Sequence, residues 1–174
     1  MDLTTELLIA GLIVGSVLLQ FGEHRVSPWR LVLPLAIVGY FAARYLTGFP
    51  TAGNDLVFEL TGAGIGIVTG AIAAALTGVR RDARGDVFVT AGVLYVAFWI
   101  AVFAARIGFA VAATNSHDFA RQLGSFSYQY GITGAAAWTA FFILQAVLMV
   151  GVRTVVVGAR AFVFQPARRE QIAA

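Results

Sequence analysis

Residues 56–79 read LVFELTGAGIGIVTGAIAAALTGV, with Glu59 as the single charge. At about 1.5 Å per residue a helix of this length reaches across a hydrocarbon core of roughly 30 Å. Within it Gly62, Gly66, Gly70, Ala74 and Gly78 recur every four residues. That spacing lays a small-residue stripe along one helix face, where a second backbone can approach and gain dispersion. The stripe predicts a tightly packed helix partner, in the same chain or in a second copy. Gly11 and Gly15 carry a shorter version, so the first apolar run is the expected partner.

Four further apolar runs flank this one, at residues 3–21, 31–49, 87–113 and 130–152, the last continuing as a helix to Phe164. Charge and proline in Gly22 to Arg30, polar Pro50 to Asp55, charged Arg80 to Asp86 and polar, aromatic Thr114 to Gln129 separate them. Pro34 falls in the first turn of its run, where a missing N–H costs least. The runs are continuous rather than alternating and too long for barrel strands of about ten residues. Inside a bilayer every backbone polar group must be satisfied internally, which leaves helices. The expectation is an all-α, polytopic transmembrane helical bundle of five spans. One domain covers 1–164, followed by a tail at 165–174.

The composition agrees. The 174 residues are 59% hydrophobic and 12% charged, with mean hydropathy +0.83. A soluble domain is about one quarter charged. The leading residues of the chain include Asp2 and Glu6 and no basic residue, and no A-x-A site follows the first run, so it reads as a retained helix rather than a cleaved signal.

All twelve basic residues are Arg. Arg25, Arg30, Arg80, Arg81, Arg84, Arg153, Arg160, Arg168 and Arg169 fall on one side of the five-span arrangement, and Arg121 alone on the other. The positive-inside rule then puts the N-terminus outside and the C-terminus in the cytoplasm of a cell membrane. The same placement assigns the basic pI of 9.8 to orientation rather than to nucleic acid.

What is missing narrows the chemistry. Without cysteine there is no disulfide, thiolate nucleophile or zinc–thiolate site. Without lysine there is no Schiff base and no phosphate-loop lysine. His24 and His117 are too few for a multi-histidine metal site. No nucleophile elbow, zinc-protease motif or paired carboxylates occur. The expectation is a protein that is not an enzyme and needs no cofactor.

Arg44 and Arg106 lie inside apolar runs, where a charge costs a few kcal/mol or more and usually has a reason. In the five-span arrangement both sit in the outer half of the membrane, with Glu59 the nearest acid. One reading has Arg44 reach the interface and Arg106 pair with Glu59 for packing. The other makes Arg44, Glu59 and Arg106 an outward-facing polar or anion site, because two forked guanidiniums suit carboxylate or phosphate.

The remaining features read as structural. Asp82 and Gly85 suit a tight reversal within Arg80 to Asp86. His117 beside Asp118 lacks a partner nucleophile. Phe119, Phe126, Tyr128 and Tyr130 cap a solvated loop or form a short amphipathic helix on the outer surface. Gln145, in the middle of the fifth run, is expected to bond another helix. Trp29, Trp99 and Trp138 supply area and interfacial anchoring.

Arg25 to Arg30 followed by Leu33-Pro34-Leu35, the Gly62 to Gly70 stripe followed by Gly85, then Trp99 and Arg106 form a layout that resembles the CcdC-like family of small bacterial integral membrane proteins. The resemblance spans roughly residues 20 to 110 and implies a polytopic helical membrane protein. The family name points to cytochrome c maturation, but the lack of Cys and of a His pair argues against direct haem or thiol handling. Two functions compete. The first is a non-catalytic partner or regulatory module of a cell-envelope complex, with the lipid bilayer and a membrane protein or second copy as partners. The second is a small oligomeric transporter or channel using the Arg-lined site.

Overall fold

The computed structural model describes residues 22–25, 35, 36, 39, 40, 43, 52–82 and 86–163. The spans expected at 3–21 and 31–49 and the tail at 165–174 lie almost entirely outside them. Of the second span, Leu35, Ala36, Gly39, Tyr40 and Ala43 are described, and all have helical geometry.

The described chain is mostly helical. Helix α1 covers Asp55–Ala75, α2 Val93–Asn115, α3 His117–Gln129 and α4 Ala135–Val163. Three of them, α1, α2 and α4, are long and apolar enough to cross a membrane. At about 1.5 Å per residue they measure roughly 31, 34 and 43 Å. Their outward residues are large and apolar: Val57, Leu60 and Val68 on α1, and Val93, Leu94, Ile100 and Val111 on α2, are all more than half exposed. A helix that shows such residues outward suits a lipid surround.

The all-α expectation needs a correction. Gly22–Arg25 (β1), Thr77–Arg81 (β2) and Val87–Ala91 (β3) form an antiparallel sheet in the order β1-β3-β2. Glu23 faces Thr90 in one pair and Val79 faces Val89 in the other. The reversal between β2 and β3 is tied by the Asp82 N–H donating 2.9 Å to the Asp86 carbonyl. The expected third and fourth spans are therefore shortened at their facing ends. Helix α1 stops at Ala75, where the buried Thr77 hydroxyl donates back to the Ala73 carbonyl at 2.8 Å. Gly92, in an extended conformation, separates β3 from α2. Val87-Phe88-Val89-Thr90 is apolar but β-branched and aromatic, which suits a buried strand as well as a span.

The fifth run is also moved, from 130–152 to Ala135–Val163. Gly131, at φ 65°, takes the left-handed conformation just after α3 and turns the chain into α4. The polar stretch before it is helical: Ser116 caps α3 by accepting from the Phe119 N–H at 3.3 Å.

Helix α4 is the centre of the bundle. Residues Gly62, Gly66 and Gly70 of α1 meet Phe141, Gln145 and Met149 of α4, each 79 positions further on, so the two helices run parallel. Helix α2 runs antiparallel to α4, with Tyr95 at Arg153, Arg106 at Phe142 and Phe109 at Trp138. The sheet thus sits at the end where α1 finishes and α2 begins. There Ala73, Ala91 and Tyr95 form a buried cluster, covered by Leu76, Val96, Phe98 and Trp99.

Candidate functional site

At the end of the bundle away from the sheet, the start of α1 is sewn to the turn before α4. The Asn54 N–H donates to the Gly131 carbonyl at 3.1 Å, and the Asn54 side-chain amide donates to the Tyr130 carbonyl at 3.0 Å. Asp55 is fully buried; its carboxylate accepts from the Thr133 N–H at 2.8 Å and from the Thr133 hydroxyl. Its charge also lies in the first turn of α1, where the helix dipole favours an anion.

Glu59 stands one turn further into α1 on the same face and is also fully buried. Neither of its carboxylate oxygens has a hydrogen-bond partner. Burying an unpaired carboxyl is expensive, and intramembrane acids are usually paired or functional.

Arg106 is half-buried in the middle of α2. Its Nη2 donates to the Phe142 carbonyl at 2.6 Å, and its guanidinium carbon lies 5.2 Å from the centre of the Phe142 ring. The expected Arg106–Glu59 pair does not form: Arg106 turns to α4 backbone and ring, and among the described residues no arginine pairs with Glu59. Glu59 stands on α1 and Arg106 on α2, and a similar expected depth does not by itself turn the two side chains towards each other. Arg44 falls outside the described residues.

Beside Arg106 lies a cluster of aromatic rings. Trp138 stacks on Phe109 at 5.3 Å and meets Phe58 edge-on at 4.7 Å, while its indole N–H donates to the Ser127 hydroxyl at 3.1 Å. Phe109 contacts Phe119 of α3 edge-on at 5.6 Å. The apolar face of α3 is thus held against α2 and α4 while its polar face stays exposed, the second of the two forms expected for this stretch, an amphipathic helix. His117 and Asp118 make no acid–base pair, because Asp118 binds Arg121.

The stripe finds its partner, and the partner is α4. A Cβ on Gly62, Gly66 or Gly70 would lie 2.7, 2.5 or 2.6 Å from the carbonyl oxygens of Phe141, Gln145 and Met149. The two backbones therefore touch along three successive turns. Ala74 continues the stripe, buried, and its carbonyl accepts from Arg160 at 2.9 Å. Gly78 does not belong to it: α1 has ended, and Gly78 pairs with Thr90 in the sheet. Gln145, expected to bond another helix, meets α1 through its backbone at Gly66.

Two features escaped sequence reasoning. Asp55 reads as a loop acid until Thr133 is brought to it. Arg153 reads as a tail-side charge, but α4 continues past it, and its guanidinium lies 5.0 Å from the centre of the Tyr95 ring. The helical continuation beyond Val152 was the available signal for Arg153.

Among the described residues no group of three or more His, Cys, Asp or Glu side chains is placed to hold a metal. What this end of the bundle offers is a buried, unpartnered carboxyl beside an aromatic cluster and an arginine already engaged by backbone. Comparison of the chain with protein-family models, with curated proteins and with solved structures finds no match.

Proposed function

We propose that the chain is a small, non-catalytic integral membrane protein that acts as a partner or regulatory module of a cell-envelope complex. It crosses the cell membrane five times, with the N-terminus outside and the C-terminus in the cytoplasm. The observation that carries this reading is how Arg106 is used. Arg106, in the middle of α2, is engaged in holding α2 to α4 through the Phe142 carbonyl and ring, a structural use of an intramembrane charge. The exposed apolar faces of α1 and α2 leave room for lipid or a membrane partner.

The sheet supports the topology. β1 joins β2 and β3, so Gly22–Arg25 lies at the same end as the α1–α2 connection. An even number of crossings between β1 and β2 satisfies this: α1 and the run at 31–49. Arg25, Arg80 and Arg81 then share one membrane side, as the positive-inside rule requires. The CcdC-like layout points to the same class of protein.

A second reading, a small oligomeric transporter or channel, is favoured by one observation: Glu59 is buried with both oxygens unpartnered. Extraction from native membranes in mild detergent, with mass determination of what travels with the chain, separates the two. A second protein at fixed stoichiometry supports the module. A homo-oligomer or monomer alone supports the transporter and directs flux assays to Glu59 and Arg106 variants.

A further inference from the structure

Three segments leave the sheet from one row of residues. Gly22 of β1 and Thr77 of β2 both face Ala91 of β3. Helix α1 enters this row through Leu76, and α2 leaves it through Gly92. Because β1 and β3 are antiparallel, the chain before Gly22 leaves the sheet in the same direction as the chain after Ala91. The apolar run at 3–21 ends directly before Gly22. The strand order β1-β3-β2 therefore attaches that run beside the start of α2, on the side away from α1. The run at 31–49 follows Arg25, which pairs with Phe88, and so is attached away from this row.

Helix α2 has a face that no described element covers. Tyr95 is the one buried residue on it, whereas α1 and α4 each bury seven. On a helical period, Ala97, Ala101, Ala104 and Gly108 run down the middle of the uncovered face, flanked by Ile100 and Ile107, and all six are exposed. Small residues between larger ones admit a second helix at close range.

The attached run carries the matching residues. Counted from the paired Gly22 and Ala91, Gly15 lies seven residues back and Ala97 six on; Gly11 lies eleven back and Ala101 ten on. Two antiparallel helices that leave one row thus bring each glycine level with an alanine, to within one residue, at two successive turns. Gly11 and Gly15 are free for this contact, because the stripe of α1 is already filled by α4.

We propose that the run at 3–21 is the partner of the uncovered α2 face, seated on it as an antiparallel helix with Gly15 against Ala97 and Gly11 against Ala101. The seat rests on the first of the five crossings. The test is disulfide formation in the full chain in membranes, since the chain has no cysteine of its own. Gly11→Cys with Ala101→Cys should cross-link within one chain under mild oxidation. Gly11→Cys with Val68→Cys, on the exposed face of α1 at similar depth, should not. Ala101→Leu, which fills the seat, should lower the unfolding temperature, whereas Ile100→Leu beside it should leave it unchanged. Equal unfolding temperatures for these two variants would overturn the proposal, as would faster linkage to position 68 than to position 101. A disulfide between copies from Ala101→Cys alone would overturn it in favour of a second copy on this face. Absence of linkage in a folded Gly11→Cys, Ala101→Cys chain would also overturn it, and Asp2→Cys then shows how much falls. Labelled from the same membrane side as Ala52→Cys, it leaves the crossing standing and removes the seat alone; labelled from the side of Asp82→Cys, it removes both.

Discussion

Arg106 and Arg153 clamp the same two helices reciprocally: Arg106 reaches from α2 to the Phe142 ring of α4, and Arg153 reaches from α4 to the Tyr95 ring of α2. The two contacts are eleven residues apart on each helix, about three turns. An antiparallel pair joined twice in this way resists sliding and rotation. Arg106→Ala should lower unfolding stability by about 1–3 kcal/mol, from one charged hydrogen bond and one cation–π contact. The Arg106 and Arg153 sites are about 16 Å apart, so the double variant should be additive within about 0.5 kcal/mol. Thermal unfolding in one detergent measures both. Unchanged stability in Arg106→Ala, with loss of ligand binding or flux, would favour the transporter reading.

The close approach of α1 to α4 gives the sharpest packing prediction. A methyl at position 66 would meet the Gln145 carbonyl at 2.5 Å, while nothing lies within 4 Å of the same position at Gly64. Gly66→Ala should therefore destabilise by about 1–3 kcal/mol. Gly64→Ala should be neutral or stabilising, by up to about 1 kcal/mol, because Ala is the better helix former. If both variants unfold at the same temperature, the backbone contact is not made in the folded protein.

These two positions also mark how much the sequence discloses. Four-residue spacing identifies the face of α1 that packs, because small residues matter only where a backbone comes close. It does not identify the partner, since any smooth helix face fits; Gly11 and Gly15 pointed to the first run, and α4 took the place through the backbone at Phe141, Gln145 and Met149. The sheet was hidden for a different reason. Val87 to Ala91 is apolar whether lipid or strands surround it, and β1, which decides the matter, lies more than sixty residues earlier. At the candidate site, the residue types Glu59 and Arg106 were legible as unusual, but their separation was not, because depth along a helix says nothing of direction around it. Asp55 needed Thr133, and that proximity follows from the α1–α4 packing alone.

Glu59 tests whether the buried carboxyl is a burden or a device. Glu59→Gln keeps the shape and removes the ionisable group. With no partner lost, the variant should unfold within about 1 kcal/mol of wild type or above it. If the chain is a transporter, the same variant should stay folded and lose flux. A markedly lower unfolding temperature would mean that the carboxylate has a bonding partner in the membrane, which contradicts its isolation at the α1 face.

The sheet can be tested directly because the chain contains no cysteine. Glu23 and Thr90 stand opposite each other across β1 and β3. Opposed strand residues place their Cβ atoms about 4.5–5.5 Å apart, close to disulfide geometry. The Glu23→Cys, Thr90→Cys pair should cross-link under mild oxidation, whereas Glu23→Cys with Ala52→Cys, at the far end of α1, should not. Single cysteines at Ala52 and Asp82 should then label from opposite membrane faces. Labelling of both from one face would remove α1 as a membrane span, and with it the even number of crossings that lets β1 reach β3.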